Sequence, residues 1–348
     1  MNILMLSPLP PPSGGIATWT VKFQTYCKKI GIELRIVNIA KREKRAVTDT
    51  KNFRIVPEIK RTIGICRSLG KELRSTKPDV IHINTSCSPI GILRDALCVF
   101  LSNGKAPIVV HCRCNIDDQL GKRKISKRAF EYMIRHALRV IVLNNQSKQF
   151  VDEIEAGKSV CIPNFIEAEY IDEKHFIRDT VSEIIYVGRI EKAKGIVQIT
   201  ETAKSIPDIN ITLVGDIIED LSGLDWPANI RIMGGVSADD VKNELKKADV
   251  FLFPSLSEGF SNALLEAMAV GLPIIASDVG ANSEMIENKG GYILKENSCG
   301  EILKSLEKME DADVRGKMSA WNINKVKMVY LENKVMKQYI DLYKQTAG

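Results

Sequence analysis

Two glutamates eight residues apart, Glu258 and Glu266, mark the stretch PSLSEGFSNALLEAMAVGLPIIASDVG from Pro254 to Gly280. VFLFPS (250–255) reads as a strand, LSEGF as a loop, and Asn262–Val270 as a helix with Leu264, Leu265 and Met268 on its apolar side. The start of that helix leaves N–H groups near Phe260, Ser261 and Asn262 without intrahelical partners, so it suits negative charge or sugar hydroxyls. Glu266, farther in, either emerges on a polar face or stays partly buried because hydroxyls such as those of a ribose donate to it. If all eight residues were helical, ~1.5 Å per residue would separate the two carboxylates by about 12 Å along the axis. That is comparable to the reach of a nucleotide sugar from sugar to ribose.

VGRIEKAKGI (187–196) places Arg189 and Lys194 just after a strand, beside Gly188 and Gly195. A guanidinium fork with an ammonium point charge suits a diphosphate. The other reading is two solvated cations on a turn. PPPSGGIATWT (10–20) joins the first strand to the first helix. Gly14 and Gly15 let the backbone approach a ligand, and the helix start offers N–H groups to a phosphate. The stretch lacks both the Gly-Lys-Ser/Thr ending of a P-loop and the dinucleotide fingerprint, so taken alone it is equally a plain turn. His111 sits at a strand end, where a histidine is either structural or turned to a ligand. Cys112 and Cys114 form a C-x-C with no second pair at ligand spacing, which reads as buried or semi-buried thiols and no metal site. No carboxylate cluster of the kind that holds Mg²⁺ is evident.

These residues sit at the ends of a regular series of elements. ILML (3–6), ELRIVNI (33–39), DVIHIN (79–84), PIVVHC (107–112) and RVIVLN (139–144) are short runs rich in β-branched residues, separated by helical stretches such as Ile16–Ile30 and Lys124–Leu138. EIIYVGR (183–189), INITLVG (209–215), NIRIMGG (229–235), VFLFPS and PIIAS (273–277) repeat the style. Strands alternating with helices imply parallel sheets covered on both faces. Two successive sets imply two Rossmann-like, doubly wound α/β domains, residues 1–165 and 166–324, with a helix over 325–345 packing back on the first. Ligands bind beyond the carboxyl ends of such strands, where Ser7, His82, His111, Arg189, Gly215, Gly234 and Glu258 all fall.

Composition excludes several classes. With 45% hydrophobic and 26% charged residues the chain is an ordinary globular protein, and no apolar run approaches the roughly 18–20 residues of a membrane span. MNILMLSPLP reads as a first buried strand and not as a signal peptide, which points to the cytoplasm, as do eight cysteines without a framework spacing. Residues 1–165 hold 28 Lys and Arg against 13 Asp and Glu, or +15, and the remainder 21 against 30, or −9. The basic half suits anionic lipid or a phosphate-bearing acceptor.

EGFSNALLEAMAVGLPIIASDVGANSEMI resembles the E-x7-E signature of retaining glycosyltransferases with the GT-B fold, family 4 in the usual classification. The SGG turn, VIH near 81, VVH near 110, IPN at 162–164 and VGR-x4-K-G at 187–195 follow in the family's order. The resemblance implies two domains facing across a cleft and transfer from a nucleotide-diphosphate sugar with retention of configuration. It implies that Glu266 binds the donor ribose and that Glu258 lies beside the transferred sugar and its phosphate. Arg189 and Lys194, next to Gly188, would hold the diphosphate and steady the leaving group. Gly15 would bring its N–H to the distal phosphate, and His111 would contact the sugar near the reacting carbon. Phe260, Ser261 and Asn262 would offer N–H groups to sugar hydroxyls, and Gly234 would line the base pocket. The family needs no divalent metal, since cations and a helix terminus replace it, and no cofactor is expected. UDP is the preferred base, with GDP the second. Two departures are Cys112-Arg113, where the family often has Gly or Asp after the strand-end histidine, and Ile217, where it often has a second glycine.

LGKRKISKRAFEYMIRHALR (120–139) interleaves Lys122, Arg123, Lys124, Lys127, Arg128 and Arg135 with Ile125, Phe130, Met133 and Ile134. It reads either as a basic amphipathic helix on an anionic membrane, for an acceptor sugar linked to a lipid diphosphate, or as a core helix with a solvated face. KREKR (41–45) adds charge to the same half. Nucleic acid is not expected, because no binding motif accompanies the charge. Two rival functions are an epimerase or phosphorylase of the same fold and a non-catalytic nucleotide-sugar or glycan-binding protein.

Overall fold

The computed structural model describes residues 1–12, 14–40, 55–121 and 123–347, so KREKR, Ser13 and Lys122 lie outside the described residues. The chain forms two units, Met1–Pro163 with Met336–Gly348, and Asn164–Val335. The division falls two residues before the expected 165/166. The first unit takes the tail only from Met336, leaving 325–335 with the second.

The first unit runs β1 (Asn2–Ser7), α1 (Gly15–Lys29), β2 (Glu33–Asn38), α2 (Ile55–Ser75), β3 (Val80–Thr85), α3 (Gly91–Ser102), β4 (Ile108–Cys112), α4 (Ile116–Leu120), α5 (Lys124–His136), β5 (Arg139–Val142), α6 (Asn145–Ile154) and β6 (Ser159–Cys161). Its sheet has the order β2-β1-β3-β4-β5-β6, and every neighbouring pair is parallel. β3 and β4 are buried at every residue, as expected of a parallel sheet covered on both sides. On one face Leu4, Leu6, Ile81, Ile83, Val110 and Val140 pack with Leu69 of α2, Val99 of α3 and Phe130 and Met133 of α5. The other face carries His82 and His111, which meet rings from α1 and the C-terminal helix. The apolar side of α5 therefore belongs to the core. Phe130, Met133 and Ile134 have no exposed surface, and Ile125 is its one large apolar side chain left in water.

The second unit runs β7 (Glu183–Val187), α7 (Ile196–Ser205), β8 (Asn210–Val214), β9 (Ile230–Gly234), α8 (Ala238–Lys247), β10 (Val250–Phe253), α9 (Asn262–Ala269), β11 (Ile274–Ser277), α10 (Asn282–Ile286), β12 (Gly291–Leu294), α11 (Cys299–Glu307) and α12 (Ala312–Lys325). The last helix, α13, spans Glu332–Ala347. The second sheet is parallel in the order β12-β11-β10-β7-β8-β9. β6 and β12 close one edge of each sheet and are strands that the sequence pattern does not announce. β6 is the three residues SVC and β12, GYIL, opens on a glycine, so neither stands out as a run of β-branched residues.

Candidate active site

In the second sheet the strand order reverses between β7 and β10. Connections leaving the carboxyl ends of two such strands pass to opposite sides and open a crevice there. Arg189 and Lys194 follow β7, and Glu258 follows β10. The structure joins two of the three. Lys194 Nζ donates to Glu258 Oε1 at 2.6 Å and to the Ser257 carbonyl at 3.3 Å, and Ser255 Oγ donates to the same carboxylate oxygen at 3.0 Å. The two charged side chains keep only 15% and 14% of their surface exposed, so the pair is shielded enough for its charges to matter. Arg189 is half-exposed and instead pairs with Glu191 at 2.9 Å.

Backbone geometry explains the glycines around this pair. Lys194 ends a short 3-10 turn, Lys192–Lys194, closed by Gly195 at φ 80°. A Cβ on Gly195 would lie 2.0 Å from the Pro254 carbonyl oxygen, so glycine lets the turn after β7 press on the turn after β10. Leu256 N–H donates to the Ala193 carbonyl at 3.0 Å and ties the same two turns. Tyr186 OH donates to the Arg189 carbonyl at 2.8 Å, and a Cβ on Gly188 would stand 2.6 Å from that hydroxyl. A Cβ on Gly280 would meet the Glu258 carbonyl at 2.4 Å. The Gly259 carbonyl beside it accepts from Ala281 N–H at 3.1 Å.

Gly234, at φ 72°, accepts from Gly215 N–H at 2.9 Å, and Gly235 N–H donates to Asp216 Oδ1 at 2.9 Å. Gly215 has φ 144°, and an added Cβ would lie 1.9 Å from the Gly188 carbonyl oxygen. Gly215→Ala should therefore push the ends of β7 and β8 apart and destabilise the unit by roughly 1–3 kcal/mol. Urea unfolding of the purified variant checks this, and an unchanged midpoint would contradict it.

In α9, Ser261 is the N-cap and its hydroxyl accepts from Leu264 N–H at 3.3 Å. Phe260 packs edge-on to Tyr330 at 5.8 Å, and Asn262 Oδ1 accepts from Asn164 Nδ2 at 2.8 Å. Glu266 is the fifth helical residue and half-buried. Burial first, and then the charge of Glu266, hold the Tyr170 phenol above its ordinary range. The helix begins at Asn262, so the all-helical span between Glu258 and Glu266 does not apply: half of that interval is loop.

Gly15 and His111 belong to the first unit. Gly15 opens α1 behind Gly14, which gives no side-chain cap, and the first turn carries no acid. A chain of hydrogen bonds holds that turn. Tyr343 OH meets His82 Nδ1 at 2.6 Å, His82 Nε2 meets Asn84 Oδ1 at 3.3 Å, and Asn84 Nδ2 donates to Ser7 Oγ at 2.9 Å. Ser7 Oγ lies 2.5 Å from Thr20 Oγ1, which donates to the Ile16 carbonyl at 2.8 Å. Desolvation lowers His82 to about 3, so the ring is neutral. It donates from Nε2 and accepts at Nδ1. His111 has no exposed surface. Trp19 and Tyr339 flank it at 5.3 and 5.6 Å between ring centroids, and Arg113 Nη1 lies 3.3 Å from its Nε2. Burial and then the Arg113 charge hold His111 well below its usual value. The Arg113 guanidinium in turn stacks on Trp19 at 4.8 Å from the ring centre.

Sequence reasoning missed Ser255, Glu191 and Tyr186. Ser255 and Glu191 stood within three residues of expected site residues, a signal open to use, whereas Tyr186 was hidden inside an apolar run. Among the described residues, no group of three or more His, Cys, Asp or Glu side chains is arranged to hold a metal ion.

Two doubly wound units, with a cation–carboxylate pair at the switch point of the second, define the class as GT-B glycosyltransferases. The Glycosyltransferase Family 4 model matches residues 13–170, and that of Glycosyl transferases group 1 matches 167–327. The chain therefore belongs to the family 4 glycosyltransferases. It is 27% identical over 327 residues to UDP-Gal:alpha-D-GlcNAc-diphosphoundecaprenol alpha-1,3-galactosyltransferase of Escherichia coli, covering 84% of this chain and 82% of that one. Among solved structures, sucrose-phosphate synthase of Thermosynechococcus elongatus superposes with a TM-score of 0.79 at 14% identity, over 99% of this chain and 98% of that one. Anabaena HepE in complex with UDP and glucose gives 0.73 at 15% identity, over 99% and 100%.

Proposed function

We propose that the chain moves a hexose or N-acetylhexosamine from a UDP-sugar, with retention of configuration, to a sugar carried on a lipid diphosphate during polysaccharide assembly. The observation that carries this reading is the shielded Lys194–Glu258 pair at the β7/β10 switch point, with Arg189 on the same loop. The Escherichia coli relative, whose name gives both a UDP-sugar donor and a diphosphoundecaprenol acceptor, supports the choice of substrates.

In this reading Lys194 and Arg189 take the negative charge that develops on the departing diphosphate. Glu258 holds the ammonium in place and lies beside the transferred sugar. Glu266 accepts from the ribose hydroxyls, and the α9 start with Phe260, Ser261 and Asn262 meets sugar hydroxyls. Gly188 and Gly234 line the nucleotide, and Gly15 gives its N–H to the distal phosphate. His111 reaches the donor sugar once the Arg113 guanidinium leaves its Nε2. The leaving phosphate takes the acceptor proton as the hydroxyl attacks from the same face. No metal takes part.

The test incubates the enzyme with UDP-, GDP- and ADP-hexoses and a polyprenyl-diphosphate N-acetylglucosamine, then assigns the product anomer by NMR. Transfer from a UDP-sugar to an α-linked product, unaffected by EDTA, is expected. Inversion, loss of activity in EDTA, or an epimerised or phosphorolysed donor in place of a disaccharide would overturn the reading.

A further inference from the structure

Folding leaves an unusual share of apolar surface on two neighbouring helices of the first unit. Val56, Ile59 and Ile63 of α2 and Leu93, Leu97, Phe100 and Leu101 of α3 are exposed, with Val56 and Phe100 each at 63%. These seven are nearly half of the sixteen large apolar side chains left exposed among the described residues, on helices that total 33 residues. Scattered exposed leucines need no explanation, but a contiguous patch marks a contact surface.

Charge divides the outer face of α2 along its length. On α2 the outward stripe runs Ile59, Ile63, Arg67, Lys71, Arg74, a spacing of three or four that keeps one face of a helix. Its first half is apolar and its second half cationic. α3 carries exposed Leu93, Leu97, Phe100 and Leu101 along its whole length, with Lys105 just past its end. Both helices are crossovers in one parallel sheet and so run the same way, and Leu97 and Leu101 of α3 lie beside the cationic half of α2. Between them lies a groove of about 920 Å³ lined by Ile63, Leu97 and Leu101 and by all four cations. Among the described residues, none of Arg67, Lys71, Arg74 or Lys105 has a carboxylate within ion-pair distance. The acids of these helices are engaged elsewhere: Glu58 with Arg61 at 2.6 Å, Glu72 with Arg35 at 3.5 Å, and buried Asp95 with Arg94 at 2.6 Å.

We infer that the outer face of α2 and α3 docks on the surface of an anionic phospholipid bilayer. The exposed apolar side chains enter the headgroup boundary, and the four cations among and beside them stand at the level of the phosphates. Unpaired cations bordering exposed isoleucine, leucine and phenylalanine match that interface, where long basic side chains reach up to phosphate while their stems lie on apolar surface. Nucleic acid would leave the apolar half without a partner. α5 packs beside α3 and adds exposed Ile125, Lys124 and Arg128, so the 120–139 segment contributes a margin and α2 the centre. The inference rests on the lipid-linked acceptor proposed above, since it gives the enzyme a place where such an acceptor is found.

The experiment sediments the intact chain with vesicles of phosphatidylcholine alone and of phosphatidylcholine with phosphatidylglycerol, at low and high salt. Binding to the anionic vesicles at low salt is expected, and it should weaken as salt screens the phosphates. Arg67→Gln with Lys71→Gln and Arg74→Gln should lower the vesicle affinity on the order of 100-fold, at about fivefold per cation. Ile59→Ser with Ile63→Ser should also lower it. Circular dichroism shows whether each variant is folded, and both should keep the wild-type rate on a short-chain, water-soluble acceptor. Absent binding, equal binding of the variants, or a dimer that Ile59→Ser with Ile63→Ser dissociates while vesicles are ignored would each overturn the inference. Transfer without docking defeats this inference alone, and docking without transfer defeats the proposed function alone.

Discussion

Lys194→Met should lower the rate of sugar transfer by about 10²–10³-fold while the protein stays folded. The lysine is the less exposed of the two cations after β7, and its ammonium already has a fixed position between Glu258 Oε1 and the Ser257 carbonyl. A donor diphosphate arriving there meets a charge that need not reorganise, which is where electrostatic stabilisation is worth most. Glu258→Gln should cause a loss of similar size, because the amide keeps the shape but no longer anchors the ammonium. If the two act as one unit, the double variant should be less than about tenfold worse than either single one. The measurement is kcat with saturating donor, alongside a thermal melt of each variant. Near-normal turnover in either single variant contradicts the assignment, and losses that multiply in the double variant show two independent roles.

Ten of the twelve strands were legible because each is a run of β-branched and aliphatic residues, largely buried in all but β2 and β9. The Lys194–Glu258 contact was not, although both residues were expected in the site. They stand 64 residues apart in the chain, and only the order of the second sheet brings the turn after β7 against the turn after β10. Read separately, each suggested its own contact with the donor. Read together, the carboxylate is the lysine's first partner. His111 shows a second limit, since the rings that bury it come from α1 and α13, far from β4 in sequence. The sequence marked it as a strand-end histidine but held no sign that Arg113 covers its Nε2. α5 shows a third. Its amphipathic spacing was plain, yet a helical period does not say whether the apolar side meets a sheet or a lipid. Here Phe130, Met133 and Ile134 meet the sheet, and exposed apolar surface gathers instead on α2 and α3.

Asp249→Ala should destabilise the protein by about 2–4 kcal/mol without entering the chemistry. Asp249 stands just before β10 with its side chain 1% exposed. Its Oδ2 accepts from Ser182 N–H and Glu183 N–H, each at 2.9 Å, and from Ser182 Oγ at 3.1 Å, and its Oδ1 accepts from Arg178 Nη1 at 2.6 Å. One carboxylate thus fastens the amino end of β10 to the amino end of β7, the two strands whose far ends present Glu258 and Lys194. Alanine leaves two partly buried backbone N–H groups without an acceptor and the half-exposed Arg178 guanidinium without its counter-charge. Arg178 Nη1 would keep its bond to the Lys247 carbonyl at 2.8 Å, so its charge is not stranded entirely. A fall in melting temperature of roughly 4–16 °C follows for a unit of this size. Transfer measured well below that melt should stay within a few-fold of wild type, the reverse of the pattern for Lys194→Met. A melt shifted by less than about 2 °C would mean that the strand starts are held by the sheet alone. A loss of turnover as large as that of Lys194→Met in a folded Asp249→Ala protein would mean that the position of Glu258 depends on this anchor at the opposite end of the strand.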